Sequence, residues 1–196
     1  CMANGLPIDD PASDYDKNQP YKNREKRFYQ SILYDGSMWQ GEEIITRVGV
    51  GSPNEIDTSS DSDVTNTGYY TRKTLDESVN GADNLQMSNG MANYIFFRYA
   101  DVLLMYAEAS LEAGDKPTAI EYLNMVRTRG ENMPSIEDTY PQGVTENQLR
   151  EIIRRDRRIE LAFEDKRWWD IIRWKICDGE NGVMNKPIGG MKIEDT

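Results

Sequence analysis

Residues 145–175 put charged side chains where a helix of a globular protein keeps its apolar ones. Read as one helix at about 100° per residue, the segment makes an apolar stripe of Leu149, Ile152, Ile153, Ile159 and Phe163, and Asp156, Glu160 and Arg167 fall on that same stripe. A carboxylate carried into a core without a partner is expensive, so these charges have to be met by complementary ones from other elements. The anomaly recurs upstream, where Asp101 and Glu108 point nearly in the direction of Phe97 and Leu104, with Arg98 beside them. The spacing therefore predicts one shared network. In it Arg98, Arg127 or Arg129, and Arg157 or Arg167 meet Asp101, Glu108, Asp156 and Glu160.

Local signals place these residues on helices. Composition favours a helix over Tyr94–Ala113, ended by Gly114 and Asp115, and Pro117 suits the first turn of a second helix running to about Arg129. That second helix stacks Ala119, Tyr122, Leu123 and Val126 on one face, and Gly130 stops it. Thr145 opens the third helix, with Gln148 three residues on completing a capping box, and a break is expected near Asp165-Lys166. Two antiparallel helices joined by Gly114-Asp115-Lys116, with Ala107, Ala119, Leu123 and Val126 at the packing positions, form a tetratricopeptide-like pair. One such pair cannot bury both of its faces and needs neighbours. Trp168, Trp169 and Trp174 follow helical spacing beside Ile171 and Ile172 and read as packing residues.

The first half is different in kind. Residues 1–25 read as an extended, turn-containing surface segment, and Phe28–Tyr34 has strand or short-helix character closed by the Asp35-Gly36 turn. Residues 49–92 are rich in Gly, Ser, Asn, Asp and Thr, with strand character around Gly68–Thr71. By composition the chain divides into a loop-rich region, 1–92, a helical scaffold, 93–176, and an irregular tail, 177–196, all parts of one domain. The fold expected is mainly α, with tetratricopeptide-like helical pairs, long irregular loops and minor short strands.

Charge and motif content exclude several functions. With 34 acidic and 23 basic residues among 196 and no histidine, the net charge of −11 argues against nucleic acid or an anionic membrane as partner. No apolar run approaches the roughly 20 residues of a membrane span, and Cys1 reads as a chain boundary rather than a processed lipoprotein terminus. Without histidine there is no histidine-based triad or zincin, and Cys177 has no imidazole to activate it. The run Asp57–Asp63 offers oxygen ligands but lacks the glycine and terminal glutamate of a calcium loop, so no metal or cofactor is expected. Paired carboxylates could suggest glycoside hydrolysis. Here neighbouring arginines favour the ionised form and remove the proton donor, so salt bridging is the reading and catalysis is not.

Three motifs occur in an order that closely resembles the C-terminal half of the SusD/RagB family, outer-membrane nutrient-binding lipoproteins of glycan uptake systems. They are Phe97–Ala109, Leu123–Gly130, and the series Leu149–Ile153, Arg157–Glu164, Arg167–Asp170 and Arg173-Trp174; Pro20–Tyr29 and Ile32–Gly36 are similar to the segment before the family's variable loops. The resemblance implies an internal fragment of a longer protein whose lipidated N-terminus and earlier tetratricopeptide-like helices lie outside it. It further implies a surface-exposed, non-catalytic protein that captures a glycan or oligosaccharide and caps a SusC-like TonB-dependent transporter. The alternatives are a helical scaffold acting mainly through contact with that transporter, or capture of peptide in place of glycan.

Sugar capture needs flat aromatic faces bordered by short polar groups. The loop-rich region supplies Tyr34, Trp39, Tyr69 and Tyr70 among Asn54, Asp57, Asn66 and Arg72, and these four aromatics are the candidate ligand contacts. No family residue pattern transfers to them, because binding loops vary most.

Overall fold

A computed structural model describes residues 1–57, 64–79, 93–179, 182–187, 189–191 and 193. Its elements are α1 (Lys26–Ser31), β1 (Ile32–Leu33), β2 (Met38–Trp39), β3 (Glu42–Glu43), β4 (Tyr70–Thr71), α2 (Tyr99–Glu112), α3 (Lys116–Arg127), α4 (Ile136–Thr139), α5 (Glu146–Glu160) and α6 (Arg167–Arg173). Single turns of 3-10 helix lie at Arg129–Glu131 and Val183–Asn185. The chain is mainly helical with minor strands, and among the described residues no helix is long and apolar enough to cross a membrane.

Two compact units share the chain discontinuously, one of residues 1–29 and 94–169, the other of 30–93 and 170–196. Both α1 and α6 run across a division, since the chain leaves and re-enters each unit within a helix.

The first unit holds the helical core. Ala107 and Ala119 are fully buried and let α2 and α3 approach closely, while Leu104, Leu123 and Val126 fill the space between them. Leu149, Ile152 and Ile153 on α5 close the same core, with Ile136, Val144 and Leu161 at its edge. The α2–α3 turn is built as its residues require. Gly114 takes φ 83°, a left-handed conformation that costs a residue with a Cβ about 1 kcal/mol or more, and Asp115 caps α3 by accepting from the Thr118 backbone N–H. On α5 the capping box is complete: Thr145 Oγ1 accepts from Gln148 N–H at 3.2 Å and Gln148 Oε1 accepts from Thr145 N–H at 2.8 Å.

Several sequence expectations need correction. Helix α2 begins at Tyr99 rather than Tyr94, and α5 ends at Glu160, well before the expected break. Leu161–Asp165 form a turn in which Phe163 and Asp165 both take left-handed backbone, so Phe163 leaves the apolar stripe and is exposed. The tryptophans were expected to pack. Trp168 and Trp169 are instead 51% and 66% exposed, and Trp174 is half-buried beneath the Arg173 guanidinium, 4.7 Å from its ring. Helical spacing beside Ile171 was a poor guide because on α6 only Asp170 and Ile171 are buried.

The second unit is held by short pairings. Strands β1 and β4 pair antiparallel with Leu33 opposite Tyr70, and β2 and β3 form a hairpin with Trp39 opposite Glu42. The Asp35-Gly36 turn links them: Gly36 takes φ 85° and Asp35 Oδ1 accepts from the backbone N–H groups of Thr46 and Arg47 at 2.8 and 3.0 Å. The rest of the Asp57–Asp63 run lies outside the described residues.

Candidate functional site

The charges on the apolar stripe of α5 are buried and answered. Asp156 is fully buried at the centre of α5, and its Oδ2 accepts from Arg127 Nη1 at 2.6 Å. Arg127 is itself fully buried, and its other arms are used: Nε donates to the Pro134 carbonyl at 3.2 Å and Nη2 to Thr139 Oγ1 at 3.1 Å. One guanidinium thus ties the end of α3 to the α4 segment and to α5. Gly5 lies over it with φ 84°, and a Cβ at that position would come 2.6 Å from Arg127 Nη2.

One turn further on, Glu160 collects three arginines. Arg98 Nη1 donates to its Oε1 at 2.6 Å, Arg129 Nη2 to the same oxygen at 3.0 Å, and Arg27 Nη1 to Oε2 at 3.1 Å. Arg98 also grips Glu164 in a bidentate pair, Nε to Oε2 at 2.8 Å and Nη2 to Oε1 at 2.9 Å, and donates to the Glu160 carbonyl. The left-handed residues flanking Glu164 are what turn it back toward Arg98. Burial pushes the Glu160 carboxyl up, but hydrogen bonding from Arg98 and the charges of Arg27, Arg98 and Arg129 outweigh it and hold the group at about 2. Asp101 on α2 closes the set, accepting from Arg157 Nη1 at 2.6 Å, with Lys166 Nζ 3.3 Å from its other oxygen.

The anticipated network exists, with Arg98, Asp101, Asp156 and Glu160 in it and Arg127, Arg129 and Arg157 as partners. Glu108 and Arg167, also anticipated, are half-buried, and the bonds just described do not include them. The position of Arg167 followed from extending α5 to residue 167, and the helix stops at 160. Missing from the expectation were Glu25, Arg27, Glu164 and Lys166. Arg27 donates to Glu25 Oε2 at 2.6 Å and reaches Glu160 across 133 residues of sequence, a pairing that no local periodicity can announce.

Glu160, held ionised at about 2, has no proton to give at neutral pH. Among the described residues no group of three or more acidic, cysteine or histidine side chains is placed to hold a metal ion.

The candidate aromatics lie in the other unit. The register that pairs Leu33 with Tyr70 sets Tyr34 and Tyr69 at one end of the β1·β4 pair, so the short ladder brings these two positions together. Tyr34 is held by Ser37, whose Oγ accepts from Tyr34 N–H at 2.9 Å and donates to its carbonyl at 2.6 Å. Tyr70 hydroxyl accepts from Thr65 N–H at 3.2 Å, and Thr65 Oγ1 accepts from Tyr69 N–H at 3.3 Å, which fixes the turn before β4. Gly68, buried with φ 78°, sits against the Met191 backbone, leaving no room for a Cβ. Trp39 lies on the β2–β3 hairpin, and all four rings are half-buried, each with part of its surface open. Of the polar neighbours, Arg72 is engaged with Glu77 at 2.6 Å and Asn66 is exposed.

A model of the SusD family matches residues 1–195. The chain belongs to the SusD family. Similar relatives include SusD-like protein P2 of Formosa agariphila, 41% identical over 104 residues, a match covering 48% of this chain and 20% of that protein. SusD-like protein P38 of the same organism is 40% identical over 106 residues, covering 52% of this chain and 21% of that one. Among solved structures, a SusD-like protein from Bacteroides fragilis aligns with TM-score 0.70 at 33% identity, covering 90% of this chain and 34% of the other. A SusD-like carbohydrate binding protein from the same species aligns with TM-score 0.68 at 34% identity, again over 90% and 34%. The chain thus spans about a third of these structures and about a fifth of the curated relatives. Membership associates the chain with SusD-like nutrient-binding proteins.

Proposed function

We propose that the intact protein captures a glycan or oligosaccharide at the outer-membrane surface, without transforming it, and delivers it to a SusC-like TonB-dependent transporter. The observation that carries this reading is the pairing of a scaffold whose carboxylates are locked by arginine with a separate loop unit that sets Tyr34 and Tyr69 together at the end of the β1·β4 pair. Half-open aromatic rings suit the apolar face of a pyranose, and neighbouring hydroxyl, amide and backbone groups suit its hydroxyls. A similar Bacteroides fragilis structure is described as a carbohydrate binding protein, which favours glycan over peptide. Attachment to the membrane is assigned to a lipidated N-terminus of the longer polypeptide.

Calorimetric titration of the intact protein with oligosaccharides tests this. Saturable binding is expected, and Trp39→Ala should weaken it by about 1–3 kcal/mol, the scale for losing one stacked aromatic contact. Absence of binding to every glycan offered, with the transporter complex retained, would contradict glycan capture and favour a scaffold.

A further inference from the structure

The candidate aromatics sit in the more acidic part of the chain. The unit of residues 30–93 and 170–196 carries 15 acidic and 7 basic residues, a net charge of −8, whereas the helical unit carries 19 and 16, a net charge of −3. A surplus of one sign repels ligands of that sign before any contact is made.

Reading an acidic sugar requires cations that are free to meet it, above all guanidinium groups, which grip carboxylate and sulfate through two parallel hydrogen bonds. The loop unit has three arginines, and each already faces a carboxylate of its own. Arg47 Nη2 lies 3.1 Å from Glu43 Oε1, with its Nε 3.5 Å from Asp35 Oδ1. Arg72 Nε donates to Glu77 Oε1 at 2.6 Å, and Arg173 Nε to Asp170 Oδ1 at 2.9 Å. The other basic residues of the unit are four lysines, and whatever they pair with, its carboxylates outnumber its cations by eight.

The β2–β3 hairpin sets one of those carboxylates beside a candidate contact. Gln40 and Gly41 form a two-residue turn with φ 51° and 87°, and left-handed backbone at both turn positions fixes a hairpin's register. That register puts Trp39 opposite Glu42, and residues directly opposite in an antiparallel pair share a face with Cβ atoms about 4.5–5.5 Å apart. Glu42 is exposed and Trp39 is half-buried. A pyranose lying on the Trp39 ring therefore has a carboxylate at its rim. Such a group accepts hydrogen bonds from sugar hydroxyls and opposes a uronate or a sulfate.

We propose, resting on the reading of glycan capture above, that the loop unit selects glycans free of uronate, sulfate and phosphate groups, and that Glu42 enforces the choice at Trp39. Glu42 is thereby a specificity-determining residue: it discriminates between two sugars that would stack equally well on the same ring.

Calorimetric titration of the intact protein with matched oligosaccharides tests the selection. One arm uses neutral glucan, mannan and galactan hexasaccharides of defined linkage, the other the same chains with carboxylates in place of their primary alcohols. Whichever chain binds, its neutral form is expected to bind at least about tenfold more tightly than its oxidised form at low salt. Raising NaCl to about 0.5 M should narrow that gap by screening the repulsion of the oxidised form, and Glu42→Lys should narrow it at low salt. Equal or tighter binding of an oxidised chain overturns the selection and leaves glycan capture standing. So does a gap that persists both in high salt and in Glu42→Lys, which traces it to the lost hydroxyl instead of to charge; a gap closed by salt and untouched by Glu42→Lys overturns the role of Glu42. Absence of binding in both arms contradicts glycan capture itself, and this inference falls with it.

Discussion

Arg127 shows what the unusual residues of α5 are for. Its guanidinium is fully buried and spends its arms on Asp156, the Pro134 carbonyl and Thr139, so neither charge is left bare in the core. Removing Arg127 takes away the short partner of Asp156, and Arg127→Leu is expected to destabilise the intact protein by about 3 kcal/mol, measured by urea titration. The cost would come from the buried Asp156 carboxylate, left with only Arg27 Nη2 at 3.7 Å from its Oδ1, more than from any intrinsic strength of the pair. An apolar set of the same shape could hold these helices as firmly, so the network's contribution is alignment: Arg127 fits only if α3, α4 and α5 are all in register. That a partner was required was legible from Asp156 and Glu160 on an apolar stripe. Which partner was legible only in part, because Arg27 arrives from the short helix α1, 133 residues away in sequence, and Glu164 from a left-handed turn that carries no helical period.

At the scale of elements, α5 was the most readable piece because independent signals agreed: a capping box at Thr145 and Gln148 and an apolar stripe of Leu149, Ile152 and Ile153. Thr145→Ala removes the side-chain acceptor for the Gln148 N–H and is expected to cost about 1 kcal/mol, seen as a lowered urea midpoint with unchanged slope. The end of α5 was less readable. No glycine or proline marks Glu160, and the chain reverses through Asp165 and through Phe163, a bulky residue that rarely takes left-handed backbone. That hidden stop is why Arg167 was placed on a stripe it does not join and why Trp168 and Trp169 were expected to pack when they are exposed. In the loop unit the sequence showed strand character at Tyr70 but could not show that β4 pairs with β1, since such a long-range register is set by neither strand alone.

At the scale of the whole molecule, scaffold and candidate recognition surface fall in separate compact units, each assembled from two stretches of chain. Acid is expected to act on the scaffold. Glu160 titrates near 4.5 when unfolded and at about 2 when folded, so its contribution is fully present above pH 4.5 and is lost as pH falls toward 2. The size is roughly 3 kcal/mol, and urea midpoints taken between pH 6 and pH 2 should fall across that window. The division of labour is tested most directly by measuring oligosaccharide affinity and urea stability together on two variants of the intact protein, Tyr69→Ala and Arg129→Ala. Tyr69→Ala is expected to weaken binding with its urea midpoint unchanged, and Arg129→Ala, which removes one of three arginines from Glu160, to lower the midpoint with affinity unchanged. Loss of affinity in Arg129→Ala alongside full binding by Tyr69→Ala would contradict the assignment of recognition to the loop unit.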